Sequence, residues 1–262
     1  MAALITILFF MLGLIIGSFL NVVILRWNTR KNLAGRSACM SCQNKLSWYE
    51  LIPLVSFLAL GGRCRTCKTK ISRMYPAVEL LTGIIFLSLF LKFQELLFIN
   101  FPVFLITYAY YAAVFSFLVV IAFYDLRHKI IPDFMSFGLG ALTLSGLFFF
   151  DQHGFNPHIP PFWDFLSGPL LAAPFALFWL ISKGMWMGLG DAKLAVSLGW
   201  FLGLSRSFSG AAISFWIGAV FGIFLLLFSR GHSMRSEVPF APFLALGAVL
   251  AFFFELYLFP IL

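Results

Sequence analysis

Charge is what this sequence has least of. Asp, Glu, Lys and Arg together make up 11% of its 262 residues, against roughly a quarter in an ordinary soluble domain. With 61% of the residues apolar there is too little polar surface to cover a water-soluble fold, and that class is excluded. No basic segment precedes the first apolar stretch, and no small-residue cleavage pattern follows it. That stretch is therefore expected to be a retained span and not a removed leader. Strong internal repeats and low-complexity tracts are absent as well. The glycines of Gly188-Leu189-Gly190-Asp191 follow no strand and lack a third partner, which excludes a dinucleotide loop.

What the chain has in abundance is long apolar runs. Crossing a hydrocarbon core about 30 Å thick takes roughly 20 apolar residues in a helix rising about 1.5 Å each. Runs against their polar and Gly/Pro breaks predict an all-α polytopic membrane protein of about eight transmembrane helices, at 2–24, 76–98, 101–123, 134–150, 165–183, 192–205, 208–228 and 241–259. The net charge of +8 belongs to topology and not to nucleic acid. Sixteen of the eighteen basic residues fall on one face of this arrangement. Ten lie between the first two spans, from Arg26 through Arg30 and Lys31 to Arg73; the rest are Arg127, Lys129, Lys183, Lys193, Arg230 and Arg235. Lys92 and Arg206 alone lie opposite. The rich face is expected to be cytoplasmic, with both termini outside. Three regions follow: a first transmembrane helix at 1–25, a cytoplasmic insert at 26–73, and a transmembrane domain at 74–262. Within the insert, Leu51 to Leu60 is apolar but too short to span, and is expected on the membrane interface or under a cysteine module.

The four cysteines form Cys39-Met40-Ser41-Cys42 and Cys64-Arg65-Thr66-Cys67. Each pair can place two thiolates on one tetrahedral ion. Two disulfides or four free thiols are the rival readings, but a reducing cytoplasm favours structural zinc. Four thiolates leave no open coordination position, so such a metal holds structure and does not hydrolyse.

The ten acids are more discriminating. Asp151 and Asp164 fall in an outside loop and read as solvated. Asp125 closes the third span, where the negative end of the helix dipole disfavours a carboxylate, and an acid placed against its local field is a functional candidate. Asp133 follows Pro132 at the start of the next span, where N-capping explains it. Asp191 precedes a short span and could also be an N-cap, although flanking Gly188 and Gly190 would permit unusual dihedrals and close approach of an extended peptide. Between Asp125 and Asp191 the chain crosses the bilayer out and back, so the two can meet. Carboxylates about 5 Å apart at an effective dielectric near 20 repel by roughly 3 kcal/mol. One would then hold a proton while the other is ionised, which suits hydrolysis. Glu79 and Lys193 either bind substrate or pair with neighbouring charges, Asn21 packs between helices, and His128 reads as a solvated loop residue. A transporter would also use scarce intramembrane acids, but at the midplane.

At these residues the chain resembles the type IV prepilin leader peptidases, intramembrane aspartic proteases of the GxGD kind. The matching motifs are Gly17-Ser18-Phe19-Leu20-Asn21-Val22-Val23 with Arg26, both cysteine pairs, Tyr49-Glu50-Leu51-Ile52-Pro53, and Arg73-Met74-Tyr75-Pro76-Ala77-Val78-Glu79-Leu80. Asp125 through Ile131-Pro132-Asp133, Gly188 to Lys193, and Pro239-Phe240-Ala241-Pro242-Phe243 complete the series. One departure is Ala241, where glycine is commoner. The resemblance implies that Asp125 and Asp191 are catalytic, with Gly188, Gly190, Lys193, Glu79 and Asp133 supporting or binding substrate. It implies a bacterial inner-membrane location, and substrates that are prepilins and pseudopilins carrying a short basic leader ahead of a hydrophobic helix. Members with the cysteine segment also N-methylate the new terminus with S-adenosylmethionine, so that activity is implied too.

Overall fold

The computed structural model describes residues 2–29, 35–151, 153–185, 187–228 and 238–257. Arg30, Lys31, Arg230 and Arg235 of the basic face lie outside the described residues. Among the described residues the chain is helical with one two-residue-strand hairpin, and its contacts divide it into two compact units, Met1–Glu95 and Leu96–Leu262.

The first unit holds α1 (Ala2–Arg26), a 3-10 turn (Trp48–Leu51), α2 (Val55–Ala59) and most of α3 (Met74–Ile99). Small residues let α1 and α3 approach closely. A Cβ on Gly13 would lie 2.8 Å from the Gly83 Cα, and one on Gly17 would lie 2.8 Å from the Glu79 Cα. Without a hydrophobic drive between apolar helices, this kind of small-residue contact is what associates them. Further along the same line, the Asn21 side-chain amide donates to the Tyr75 carbonyl at 3.0 Å. The apolar Leu51 to Leu60 stretch is not tucked beneath the cysteines: Leu58 is 75% exposed and Val55 57%. The 3-10 turn that leads into it starts with a capping box, in which the Ser47 amide donates to Glu50 at 2.8 Å.

The second unit runs α4 (Phe101–His128), α5 (Asp133–Phe149), β1 (Phe150–Asp151), β2 (Gly154–Phe155), α6 (Phe162–Ser182), α7 (Leu189–Leu202), α8 (Leu204–Phe228) and α9 (Ala241–Phe253). Asn100 caps α4 by accepting from Val103, and Lys129 ends it in the left-handed conformation. Helices α6 and α7 touch at backbone distance. A Cβ on Gly199 would stand 2.5 Å from the Ser167 carbonyl oxygen, and the Ser167 hydroxyl donates to the Gly199 carbonyl at 2.8 Å. Phe115, Phe201 and Phe252 form an aromatic core with Tyr111. Asp151 is no idle loop residue: its carboxylate accepts from the amides of His153 and Gly154 and from Asn156, and so closes the β1–β2 turn. Asp164 lies in the first turn of α6, and His128 ends α4 with its ring 4.4 Å from that of Tyr124.

Eight full spans are not seen. Among the described residues five helices, α1, α3, α4, α6 and α8, are long and apolar enough to cross a membrane. The protein is thus multi-pass, but α5, α7 and α9 are shorter, with 17, 14 and 13 residues. The apolar runs at 134–150 and 192–205 are themselves this short, whereas α9 stops at Phe253, well before the expected 259. Gly203 at φ +74° stops α7, after about 21 Å of rise.

Candidate active site

Asp125 is placed by the last turn of α4, one turn before the left-handed Lys129 whose amide donates to its carbonyl at 2.7 Å. The helix thus runs past Asp125 and does not end on it. Only 5% of Asp125 is exposed. Its carboxylate accepts a hydrogen bond from the Ala241 backbone amide at 3.2 Å. That amide is the first of α9, where helix N–H groups have no partner within the helix, and Pro242 beside it has no N–H to offer. The dipole of α9 therefore points its positive end at a carboxylate that the dipole of α4 disfavours. The signal was present in Pro239-Phe240-Ala241-Pro242, but nothing in one dimension says which acid lies opposite.

Asp191 is the third residue of α7 and not its cap; Gly188 takes the cap position with an ordinary backbone, φ −75° and ψ 150°. Asp191 is 9% exposed and lies within the electrostatic reach of the Asp125 carboxylate. Two buried aspartates on separate helices therefore interact electrostatically. Unusual dihedrals are not what the glycines supply. A Cβ at Gly190 would meet Ile131 at 3.0 Å, and one at Gly188 would sit 3.7 Å from the Asp191 carboxylate. Gly190 admits α7 beside the Ile131-Pro132 segment, and Gly188 leaves the approach to Asp191 clear.

Asp133 is not a cap either, since Pro132 holds that position and Asp133 is the first helical residue of α5. Its side chain is 65% exposed and pairs with Lys193 at 2.5 Å. Lys193 also lies over the Phe137 ring at 5.4 Å. This pair joins α5 to α7 at the surface, two residues along α7 from Asp191, and Asp133 bonds neither buried aspartate. Glu79 lies in the first unit, buried, with its carboxylate accepting from the Leu54 amide at 2.9 Å.

The first unit also carries a candidate metal centre. The cysteine pairs fold into two knuckles of the same geometry. In one, Cys39 N donates to Asn44 O and Gln43 N to Cys39 O; in the other, Cys64 N donates to Thr69 O and Lys68 N to Cys64 O. Gln43 and Lys68 are both left-handed. A bond from Asn44 to Thr66 at 2.9 Å ties the knuckles together. All four cysteines are free, and their sulfurs lie within 4.8 Å of one another, Cys39 and Cys67 at 3.8 Å. Sulfurs about 2.3 Å from a tetrahedral ion are themselves about 3.8 Å apart. The four can therefore hold one metal ion. Hydrogen bonding to the Thr69 hydroxyl and amide draws the Cys67 thiol down to about 6, which favours the thiolate that a metal needs.

Residues 112–223 match the model of the Type IV leader peptidase family, and residues 11–93 match that of the Bacterial Peptidase A24 N-terminal domain. A prepilin leader peptidase/N-methyltransferase of Bacillus subtilis (strain 168) is 33% identical over 251 residues, 94% of this chain and 92% of that protein. The protein of the same description from Aeromonas salmonicida (strain A449) is 32% identical over 93% of this chain and 89% of its own length. That of Myxococcus xanthus (strain DK1622) is 36% identical over 87% of this chain, and the match spans 65% of its length. No solved structure matches.

Proposed function

The chain belongs to the type IV leader peptidase family, and we propose that it removes the short basic leader of type IV prepilins and pseudopilins and then N-methylates the terminus it exposes. The observation that carries this is the burial of Asp125 and Asp191 on separate helices, with Asp191 in the field of the Asp125 carboxylate. One carboxylate takes a proton from the attacking water while the other, protonated, donates to the scissile carbonyl; the roles then exchange as the leaving amine is protonated. The Ala241 amide holds Asp125 in place. Gly188 leaves room for an extended peptide beside Asp191, and Lys193 with Asp133 supports the start of α7.

The metal of the insert is zinc, bound by Cys39, Cys42, Cys64 and Cys67 and confined to a structural role because the four thiolates close its coordination. The methyl group comes from S-adenosylmethionine, in keeping with the names of the relatives. The insert at 26–73, which follows the first transmembrane helix at 1–25, would hold the metal, and the aspartic protease would lie within 74–262. The bacterial relatives support an inner membrane location, and the partition of basic residues supports aspartates toward the cytoplasm, with lipid on the apolar helices. A transporter role has no comparable support.

The test is to incubate purified protein in lipid nanodiscs with a peptide that carries a basic leader ahead of an apolar helix. Mass spectrometry should detect release of the leader and, with S-adenosylmethionine present, a methyl group on the product. An intact peptide after prolonged incubation with folded protein would refute the peptidase.

A further inference from the structure

The first unit contains a buried carboxylate that leader cleavage does not use. Glu79 is 8% exposed, on α3, and accepts from the Leu54 amide at 2.9 Å and from the Ser18 hydroxyl. No basic side chain among the described residues pairs with it. One turn along the same α1–α3 contact is Asn21, 2% exposed, whose Nδ2 is bound to the Tyr75 carbonyl and whose Oδ1 has no partner. The pairings Gly17 with Glu79 and Asn21 with Tyr75 are successive rungs, four residues apart on each helix. Both acceptors therefore lie along one seam. A buried amide oxygen without a donor is costly, and this one lies one turn along the seam from a buried carboxylate that no basic side chain among the described residues neutralises.

The loop over this seam is strained. Leu54 has φ +60° and ψ −49°, and the Val55 amide donates back to the Pro53 carbonyl at 2.6 Å. This is a three-residue turn of the rare, strained hand, in which Leu54 presents its amide to Glu79. Such strain persists where surrounding structure enforces it, commonly at functional sites.

We propose that Glu79, Ser18 and Asn21 form a binding site for a primary ammonium group, and that its occupant is the newly exposed N-terminus awaiting methyl transfer. An ammonium has three donors and no acceptor, which matches carboxylate, hydroxyl and amide oxygens. A divalent cation would ask for six or more oxygens and further carboxylates. The identity of the occupant rests on the proposed methyl transfer; the ammonium site does not. Glu79 takes one proton from the bound ammonium and so frees the nitrogen lone pair. That pair forms the N–CH3 bond while the donor's carbon–sulfur bond breaks and its electrons remain on sulfur.

The probe is a leaderless apolar-helix peptide with a free N-terminal amine, compared with its N-acetylated form, on full-length protein in phosphatidylcholine nanodiscs. Wild type should bind the free amine about tenfold or more tightly, as a charge-assisted hydrogen bond predicts. Glu79→Gln, which keeps its size and its bond from Leu54, should bind both forms alike and lose methyl transfer. Ser18→Ala, a milder change should Glu79→Gln unfold, should narrow the preference. Adding phosphatidylethanolamine distinguishes the sources of the amine: competition by this lipid would leave the ammonium site standing and reassign its occupant to a headgroup. A wild type that prefers the amine but transfers no methyl group would uphold the site and refute methyl transfer. Equal binding of both peptides by wild type, or an amine preference that survives in folded Glu79→Gln, would overturn the proposal.

Discussion

Replacing Asp125 by asparagine should stop leader cleavage without loosening the fold, and the structure allows both halves to be sized. The Asp125 carboxylate accepts from the Ala241 amide at 3.2 Å in a buried setting. Asparagine retains an acceptor oxygen of the same reach, so Asp125→Asn should cost below about 1 kcal/mol. Alanine leaves that amide unbonded, at a cost of about 1–3 kcal/mol. Catalysis responds in the opposite proportion. Neither variant can exchange a proton with water or substrate, and each lost proton transfer is worth about 10²- to 10⁴-fold. Single-turnover cleavage in nanodiscs, read beside thermal unfolding, separates the two effects. Asp125→Asn should be at least about 100-fold slow and melt like wild type, while Asp125→Ala should be equally slow and melt lower. Because the carboxylates act as a unit, adding Asp191→Asn should slow Asp125→Asn scarcely further. Cleavage by Asp125→Asn within a few-fold of wild type would refute the assignment, as would a double variant in which the single losses multiply.

Asp133→Asn should keep cleavage near wild type, because an exposed ion pair such as Asp133–Lys193 contributes only about 0–1 kcal/mol; a dead variant would shift the catalytic acid into this loop. Cys39→Ser with Cys64→Ser should release the metal, leaving one thiolate per knuckle; retention of metal by elemental analysis would count against the four-sulfur site. A cysteine placed at His153 in the β1–β2 turn should react with an impermeant thiol reagent from outside intact cells and one at Lys45 should not, whereas the reverse pattern would invert the topology. Gly199→Ala should lower the unfolding midpoint, since its Cβ would stand 2.5 Å from the Ser167 carbonyl and overpacking of this kind costs about 1–3 kcal/mol; an unchanged midpoint would mean that α6 and α7 are free to separate.

Much of this protein could be read in one dimension because membranes impose one-dimensional rules. Hydrocarbon demands apolar helices and a basic side, so composition and run length determined the helical, multi-pass class. Metal chemistry demands thiolates in close pairs, so spacing alone marked Cys39, Cys42, Cys64 and Cys67. Its place against the helix dipole marked Asp125, while Asp191 was marked by the family resemblance. Span number was less legible, because apolar runs of 17 and 14 residues in α5 and α7 read as spans although they are shorter than the roughly 20 residues a crossing needs. Side-chain partners were not legible at all. Asp133 and Asp191 both looked like caps, yet the caps are Pro132 and Gly188. Only tertiary structure turned Asp133 outward to Lys193 and brought Asp191 inward to Asp125. It also set the Ala241 amide, 116 residues away in sequence, against Asp125, and set the Leu54 amide against Glu79. Periodicity says which residue types a helix carries, but a hydrogen bond between distant segments depends on how closely helices approach, and that distance is decided by packing at positions such as Gly17, Gly190 and Gly199.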